Sequence, residues 1–377
     1  MYMTIADLTK YLEDWAPPGA AWEKDNVGLQ IGSRGQQIKN IMLCLELDEG
    51  VIKQAVQKKC NFIFTHHPLI FQPLKRLDTQ NDPKAKLIQQ LIKNDITVYS
   101  AHTNLDFTKD GVSFQLAKTL GLQRIQFLDL EEANQFKVSV FVPESHFESV
   151  SQAVFSAGAG IIGEYENCCF RLNGKGTFKG TSKTQPYLGG KNNFETVDEI
   201  RFEFLVNSWK LRDVIPALLK THPYEEPAYD IYPLKNKNVN YGYGAIGNLP
   251  AEMNIDDFLH HVKNSLKVLS FRYVDGAAKK IRKVAVCGGS GSDLISSAIA
   301  NKADAFITAD IKYHPFQEAA GKILLIDAGH YETEIVVLRA VKQKLENFLA
   351  DDKSIKVFKY SGNTNPIKFY KQIRSLN

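Results

Sequence analysis

Cysteine is scarce in this chain, with five in 377 residues. The number is odd, Cys168 and Cys169 are adjacent, and no CxxC pair occurs. That excludes a disulfide framework and a thiolate zinc site, and it fits buried thiols in a reducing cytosol. Net charge is also nearly absent: 46 Lys and Arg against 42 Asp and Glu leave +4. A dedicated electrostatic binder of nucleic acid is disfavoured by that balance, and no basic stripe interleaved with aromatics is visible. No apolar run reaches the ~18 residues of a membrane span. The first residues carry acids early and lack a continuous apolar core, unlike a secretory signal, so a cytoplasmic protein is expected. What is present is ordinary globular composition, 44% hydrophobic and 23% charged. It is spread over a length that suggests two or three domains of ~100–200 residues.

The opening residues have apolar Ile5, Leu8, Leu12 and Trp15 on one stripe, which predicts an amphipathic helix capped by Thr4. Strand and helix signals then alternate. IMLCLEL (41–47), NFIFT (61–65) and ITVYSA (96–101) read as strands, and 49–59, 83–94 and 112–120 as helices. The last third repeats the scheme, with strands at 283–287, 305–308 and 323–327 and a long helix over 334–350. Such alternation implies a mostly parallel sheet covered by helices. The two thirds align: Lys39 to Thr65 spans 26 residues and Lys283 to Thr308 spans 25. A degenerate internal duplication follows. The middle differs. Residues 133–235 read β-α-β-β-α-β, a ferredoxin-like order, with 175–199 as a Gly-, Lys-, Thr- and Asn-rich loop. The expected class is therefore α/β, with two related lobes of mostly parallel sheet (1–128 and 236–377) interrupted by an inserted ferredoxin-like α+β domain at 133–235.

Of nine histidines, five lie at or just after predicted strand ends in the lobes: His66, His67, His102, His314 and His330. The carboxyl edge of an open α/β sheet is where ligands bind. Adjacent residues on extended chain point oppositely, so His66 and His67 would serve two neighbouring ions or straddle one at a twisted strand end; the alternative is one functional His with a bystander. Asp106 could bridge two cations, with His102 as ligand or support, or could simply be a turn residue. His330 and Glu334 are four apart and share a helix face, a workable chelating pair, or alternatively an acidic helix opening. Together these imidazoles and carboxylates, without thiolate, suit two divalent ions of the zinc, manganese or iron(II) type, zinc first among them. Two such ions clamp and activate a water. Asp310 and His314, which fall where His66 and His67 lie in the other lobe, would relay a proton or orient a ligand imidazole. CGGSGSD (287–293) is either a phosphate cradle or a tight turn. Asp25 and Asn26 would shape the pocket or form a turn.

WEKDNVGLQIG, FTHHPLIF, SAHTNLD, GGSGSD, TADIKYH and GHYETE, in this order, closely resemble the Nif-three-like family, whose members are commonly labelled GTP cyclohydrolase 1 type 2 homologues. The middle resembles the PII-like (CutA-like) insert of its longer bacterial members, with HPYEEPAYDIYPL at 222–234. The resemblance implies two metal ions per subunit held by His66, His67, Asp106, His330 and Glu334, with His102 beside them. Tyr331 stands where some relatives carry a second His. It also implies a toroidal homohexamer with the metal sites facing an internal cavity. Its label implies a metal-dependent hydrolase whose small-molecule substrate is GTP or another phosphate compound. Water would add at C8 of guanine and formate would leave, with His102 or His314 shuttling protons. A metal-dependent phosphoesterase and a non-catalytic metal-binding or regulatory ring are the alternatives.

Overall fold

Thr4 caps the first helix, Ile5–Trp15, through a reciprocal pair: Asp7 N–H donates to the Thr4 hydroxyl at 3.3 Å, and Thr4 N–H to the Asp7 carboxylate at 2.9 Å. Its Ile5, Leu8 and Leu12 are buried. The structure, a computed structural model, describes residues 3–369. Fifteen strands follow in chain order: β1 Gly28–Ile31, β2 Ile41–Cys44, β3 Phe62–Thr65, β4 Thr97–Ser100, β5 Gln123–Glu132, β6 Gln135–Pro143, β7 Cys169–Lys179, β8 Phe194–Asn207, β9 Tyr229–Leu234, β10 Lys237–Asn254, β11 Arg272–Val274, β12 Lys280–Ser290, β13 Ala305–Ala309, β14 Leu324–Asp327 and β15 Val357–Lys359.

The duplication is written in the sheets. One runs β1-β4-β3-β2-β15 and the other β11-β14-β13-β12-β10-β5. In each, three parallel strands (β2, β3, β4; β12, β13, β14) end against a short antiparallel edge strand, β1 or β11. The central strands are buried on both faces, as parallel strands covered by helices must be: Phe62, Phe64 and Tyr99 are wholly buried in the first sheet. Each such side chain contributes about 1.5–3 kcal/mol by leaving water.

The lobes nevertheless do not stand as two domains. Residues up to Asp129 and from Tyr243 onward form one compact unit, and Leu130–Gly242 a second. The physical reason is exchange. β15, late in the chain, pairs with β2 of the first sheet, and β5 closes the edge of the second. Helix Val337–Phe348 gives Val337, Leu338, Val341 and Leu345 to the core under the first sheet. Helix Val112–Thr119 gives Phe114, Leu116 and Ala117 to the core of the second. The helix expected over 334–350 is two, His330–Glu334 and Val337–Phe348. The chelating pair thus occupies a short turn of its own.

In the second unit, β6 to β9 form an antiparallel sheet of order β7-β8-β6-β9, the ferredoxin-like arrangement. Val138, Val140, Phe202 and Phe204 pack under helices Phe147–Ser156 and Leu211–Thr221. The stretch 175–199 is not a loop throughout. β7 and β8 pair from Cys169↔Phe204 to Lys179↔Phe194, leaving only 180–193 outside the hairpin. Backbone pairing carries a strand that the side chains advertise poorly.

His222, 6% exposed, bonds through Nε2 to the Phe141 carbonyl at 2.9 Å and through Nδ1 accepts from Tyr224 N–H at 3.1 Å. Burial holds its pKa below the ordinary value. A base with a depressed folded pKa contributes stability above its unfolded value of ~6.5 and loses it as the pH falls. Thermal melts of the full chain are expected to show the second unit weakening between pH 7 and 5, with the drop reduced in His222→Gln. An equal drop in both proteins would contradict this.

Candidate metal centre

Every residue of the centre sits just past the carboxyl end of a parallel strand. Glu46 follows β2, His66 and His67 follow β3, His102 follows β4, Asp310 follows β13, and His330 and Glu334 follow β14. Asp106 ends the single turn Thr103–Asp106. Because β3 stops at Thr65, His66 and His67 lie on curved rather than extended chain, their N–H groups both reaching the Leu45 carbonyl. They therefore need not diverge: their rings are 4.9 Å apart, and each is 5.3 Å from the ring of His102. His330 is 5.3 Å from His67.

Each of the four imidazoles has its Nδ1 engaged by a separate acceptor. His66 Nδ1 donates to the Ala101 carbonyl at 2.8 Å, His67 Nδ1 to Glu46 at 3.1 Å, His102 Nδ1 to Asp25 at 2.9 Å and His330 Nδ1 to Asp310 at 2.6 Å. This pattern fixes the ring orientation and leaves Nε2 as the ligating atom, which is how metal-binding histidines are supported. Three of the Nε2 atoms, those of His66, His67 and His330, turn inward on the Glu334 carboxylate, 3% exposed. His67 Nε2 is 3.0 Å from Oε2, while His330 Nε2 is 3.0 Å and His66 Nε2 3.7 Å from Oε1. Asp106 Oδ1 lies 3.5 Å from His66 Nε2 on the other side. His66 Nε2 and Asp106 Oδ1, 3.5 Å apart, are buried without a hydrogen-bond partner. Unpartnered buried polar atoms are costly in a native structure, and a cation between these two would satisfy both. Two groups can hold an ion: His66, His67 and His102, and His67, His330 and Glu334, the ligand atoms of each lying within 4.8 Å of one another.

The electrostatics agree. Burial disfavours charge on Glu334, yet the surrounding imidazoles hold its carboxyl well below the usual range. Burial would lower His67, but its bonds to Glu334 and Glu46 prevail and lift it to about 10; His330, between Glu334 and Asp310, rises likewise to about 9. Burial pushes Asp106 up to about 7, against the pull of His66 and with the negative Glu334 adding to it. Cys287 is beside the centre, but burial raises its thiol to about 12, so no thiolate joins the donor set.

Gly289 makes room. Its φ is +64°, and a Cβ there would stand 2.2 Å from Glu334 Oε1 and 3.3 Å from the His330 ring. The glycine-rich end of β12 thus admits a carboxylate.

Of the residues singled out in the sequence, His66, His67, Asp106, His330 and Glu334 meet here. His102, expected as ligand or support, has a ring nitrogen grouped with those of His66 and His67. His314 does not take part: it is exposed on helix Tyr313–Ala319, with Nδ1 3.3 Å from Gln317. Asp310, its companion in the motif, supports His330, with its backbone in the left-handed region at φ +56°. Glu46 escaped notice in the sequence because a lone acid after a strand carries no spacing signal. Its other carboxylate oxygen accepts from the Thr364 hydroxyl. Asp25, whose side chain is 2% exposed, also accepts from Thr103 N–H at 3.1 Å and from the Thr103 hydroxyl at 2.6 Å. These bonds hold its carboxyl down at about 2 despite the cost of burial. Removing it in Asp25→Ala is expected to lower metal affinity by ~10–100-fold, measured by metal titration; unchanged affinity would show that His102 needs no support.

Comparison with known proteins places this arrangement. The model of the family described as Duf34/NIF3 (NGG1p interacting factor 3) matches residues 3–366. The chain is 38% identical over 365 residues to a GTP cyclohydrolase 1 type 2 homolog of Halalkalibacterium halodurans, covering 96% of this chain and 98% of that one. It is 38% identical to the Bacillus subtilis protein of the same name, covering 96% and 97%. Among solved structures, a Bacillus cereus protein related to NIF3 superposes with TM-score 0.82 at 38% identity, covering 98% of this chain and all of that one. A Staphylococcus aureus protein, SA1388, superposes with TM-score 0.77 at 30% identity, covering 98% and 99%. Among the described residues no helix is long and apolar enough to cross a membrane.

Proposed function

Because the chain belongs to the Duf34/NIF3 (NGG1p interacting factor 3) family, we propose that it is a hydrolase built on a dinuclear metal centre. The observation that carries the reading is the convergence of three Nε2 atoms on the buried Glu334 carboxylate, with Asp106 beside His66 and His102 grouped with His66 and His67. His66, His67, His102 and Asp106 would hold one ion, and His330 and Glu334 the other. Nitrogen and oxygen donors without thiolate favour zinc, with iron(II) or manganese as alternatives. A pair of such ions lowers the pKa of water and polarises the oxygen of a carbonyl or phosphoryl group. The chain's own part is orientation. Glu46, Asp25 and Asp310 keep three imidazoles in one tautomer, and Gly289 keeps Glu334 within reach of three rings. The name carried by the relatives directs the substrate proposal to GTP, with water adding at C8 and formate leaving; a phosphoester is the second substrate class. We extend the proposal to a toroidal ring of six chains, supported by the family likeness, and light scattering of the purified protein checks it.

The test begins with metal analysis of protein purified without chelator or affinity metal, where two ions per chain are expected. Formate release from GTP and cleavage of generic phosphodiesters are then measured beside the His67→Ala, Glu334→Ala double variant. Identical behaviour of the two proteins on every substrate would overturn the enzyme reading.

A further inference from the structure

The inserted unit contains a cavity of ≈ 540 Å³, within the ~300–1,000 Å³ of small-molecule sites. No residue of the metal centre lines it. It opens on the face of the sheet away from the helices. Glu199 and Arg201 of β8 point there, alternating with Ile200 and Phe202, which are buried in the core on the other side.

The floor is bare backbone in part. Gly174 and Gly176 of β7 pair with Glu199 and Val197, two residues apart and so on one face. A glycine inside a strand weakens it and often marks a close approach by a ligand. The Glu199 carboxylate lies over Gly176, 2.0 Å from where a Cβ would stand, whereas a Cβ on Gly174 would have nothing within 4 Å. Gly174 therefore leaves open space above the strand.

The walls are aromatic. Tyr224 lies 6.4 Å from Phe178 and 6.3 Å from Tyr187, ring centre to ring centre, both tilted. Loop 180–193 is tied to the turn after His222 by Gln185 N–H donating to Glu225 at 3.0 Å, so the wall is held. The Tyr224 hydroxyl is buried beside the Glu199 carboxylate. Glu199 supplies an acceptor for N–H groups, and Lys179 brings positive charge to the lining, where Arg201 is held by Glu203 at 2.7 Å. Open space over Gly174 and aromatic walls suit a planar ring, the acceptor suits a ring edge bearing N–H groups, and the lysine suits an anionic substituent.

We propose that this cavity binds a purine nucleotide, its base lying over Gly174 with the N–H edge toward Glu199 and its phosphate toward Lys179. The site is separate from the metal centre, so the test is run on the full chain carrying His67→Ala and Glu334→Ala, which removes that centre as a competing site. Equilibrium dialysis with GMP should give one nucleotide per chain. Adding Gly174→Val, which fills the space above the floor at a position whose backbone accepts any residue, should weaken binding by at least ~10-fold, the effect of about 1.4 kcal/mol. Adding Glu199→Gln, which keeps the shape and removes the charge, should weaken it by ~10-fold or more, since hydrogen bonds to charged groups are worth ~1.5–3 kcal/mol. Circular dichroism checks that each variant folds, and Glu199→Gln decides if Gly174→Val does not. Absence of saturable binding at millimolar GMP, or undiminished binding in the folded variants, would overturn the proposal whatever the metal centre does.

Discussion

Glu334→Ala is expected to empty the centre: metal content falls from two ions per chain to none retained through gel filtration, and any hydrolysis falls to that of the metal-free protein. The argument is geometric. One carboxylate, 3% exposed, faces His66, His67 and His330 with its two oxygens, so its loss removes the charge on which three of the imidazoles converge. Glu334→Gln should fail almost as badly, because an amide keeps the shape but not the charge that offsets two cations. The fold should survive either change. Without Glu334 the neighbouring imidazoles lose the charge that holds their protons, become neutral, and leave no unpaired buried ion of the kind that costs ~3–5 kcal/mol. Elemental analysis and a thermal melt on the same sample separate the two outcomes. A variant that melts normally and still carries two ions would refute the assignment of Glu334.

Metal binding is expected to be steeply pH-dependent, and the sign follows from the imidazoles. In the metal-free chain His67 titrates at about 10 and His330 at about 9, so both carry a proton at neutral pH where a metal needs the neutral ring. Each proton expelled makes affinity rise tenfold per pH unit. Filling the centre should therefore strengthen by ~100-fold per unit below pH 9 and by ~10-fold per unit between 9 and 10. Asp106, at about 7, adds a further proton on the acid side. In weak buffer with an indicator, about two protons should appear per chain filled at pH 8; release of none would mean that these rings are not ligands. The same shifts set the stability of the metal-free chain. A histidine with a raised folded pKa stabilises fully below its unfolded value of ~6.5 and loses that contribution as pH rises through the folded value. The metal-free protein should thus weaken from pH 6.5 toward 10.

Much of the centre was legible because its ligands come in short motifs at strand ends. FTHHP, HTNLD and GHYETE each place donors where an α/β sheet binds ligands, and spacing alone marks His330 and Glu334 as neighbours on one helical turn. The supporting groups were less legible. Glu46 and Asp25 reach their imidazoles across 21 and 77 residues, and Thr364 reaches Glu46 across 318. His314, read by analogy with His67, points elsewhere because the duplicated lobes have diverged, leaving Asp310 to serve the centre. The Gly- and Lys-rich stretch 175–199 hid the distal part of a hairpin, since its pairing rests on backbone hydrogen bonds that composition does not report.

Local pattern by itself determined the alternation of strand and helix, the repeat of one α/β scheme, the ferredoxin-like order of the insert and the donor types at the strand ends, because each depends on residues a few positions apart. The exchange of β5, β15 and two helices between the lobes was decided only in three dimensions. So were the convergence of three Nε2 atoms on one buried carboxylate and the open space over Gly174 in the insert's cavity. These depend on which distant segments lower their free energy by sharing a core, and no window of the chain contains both partners.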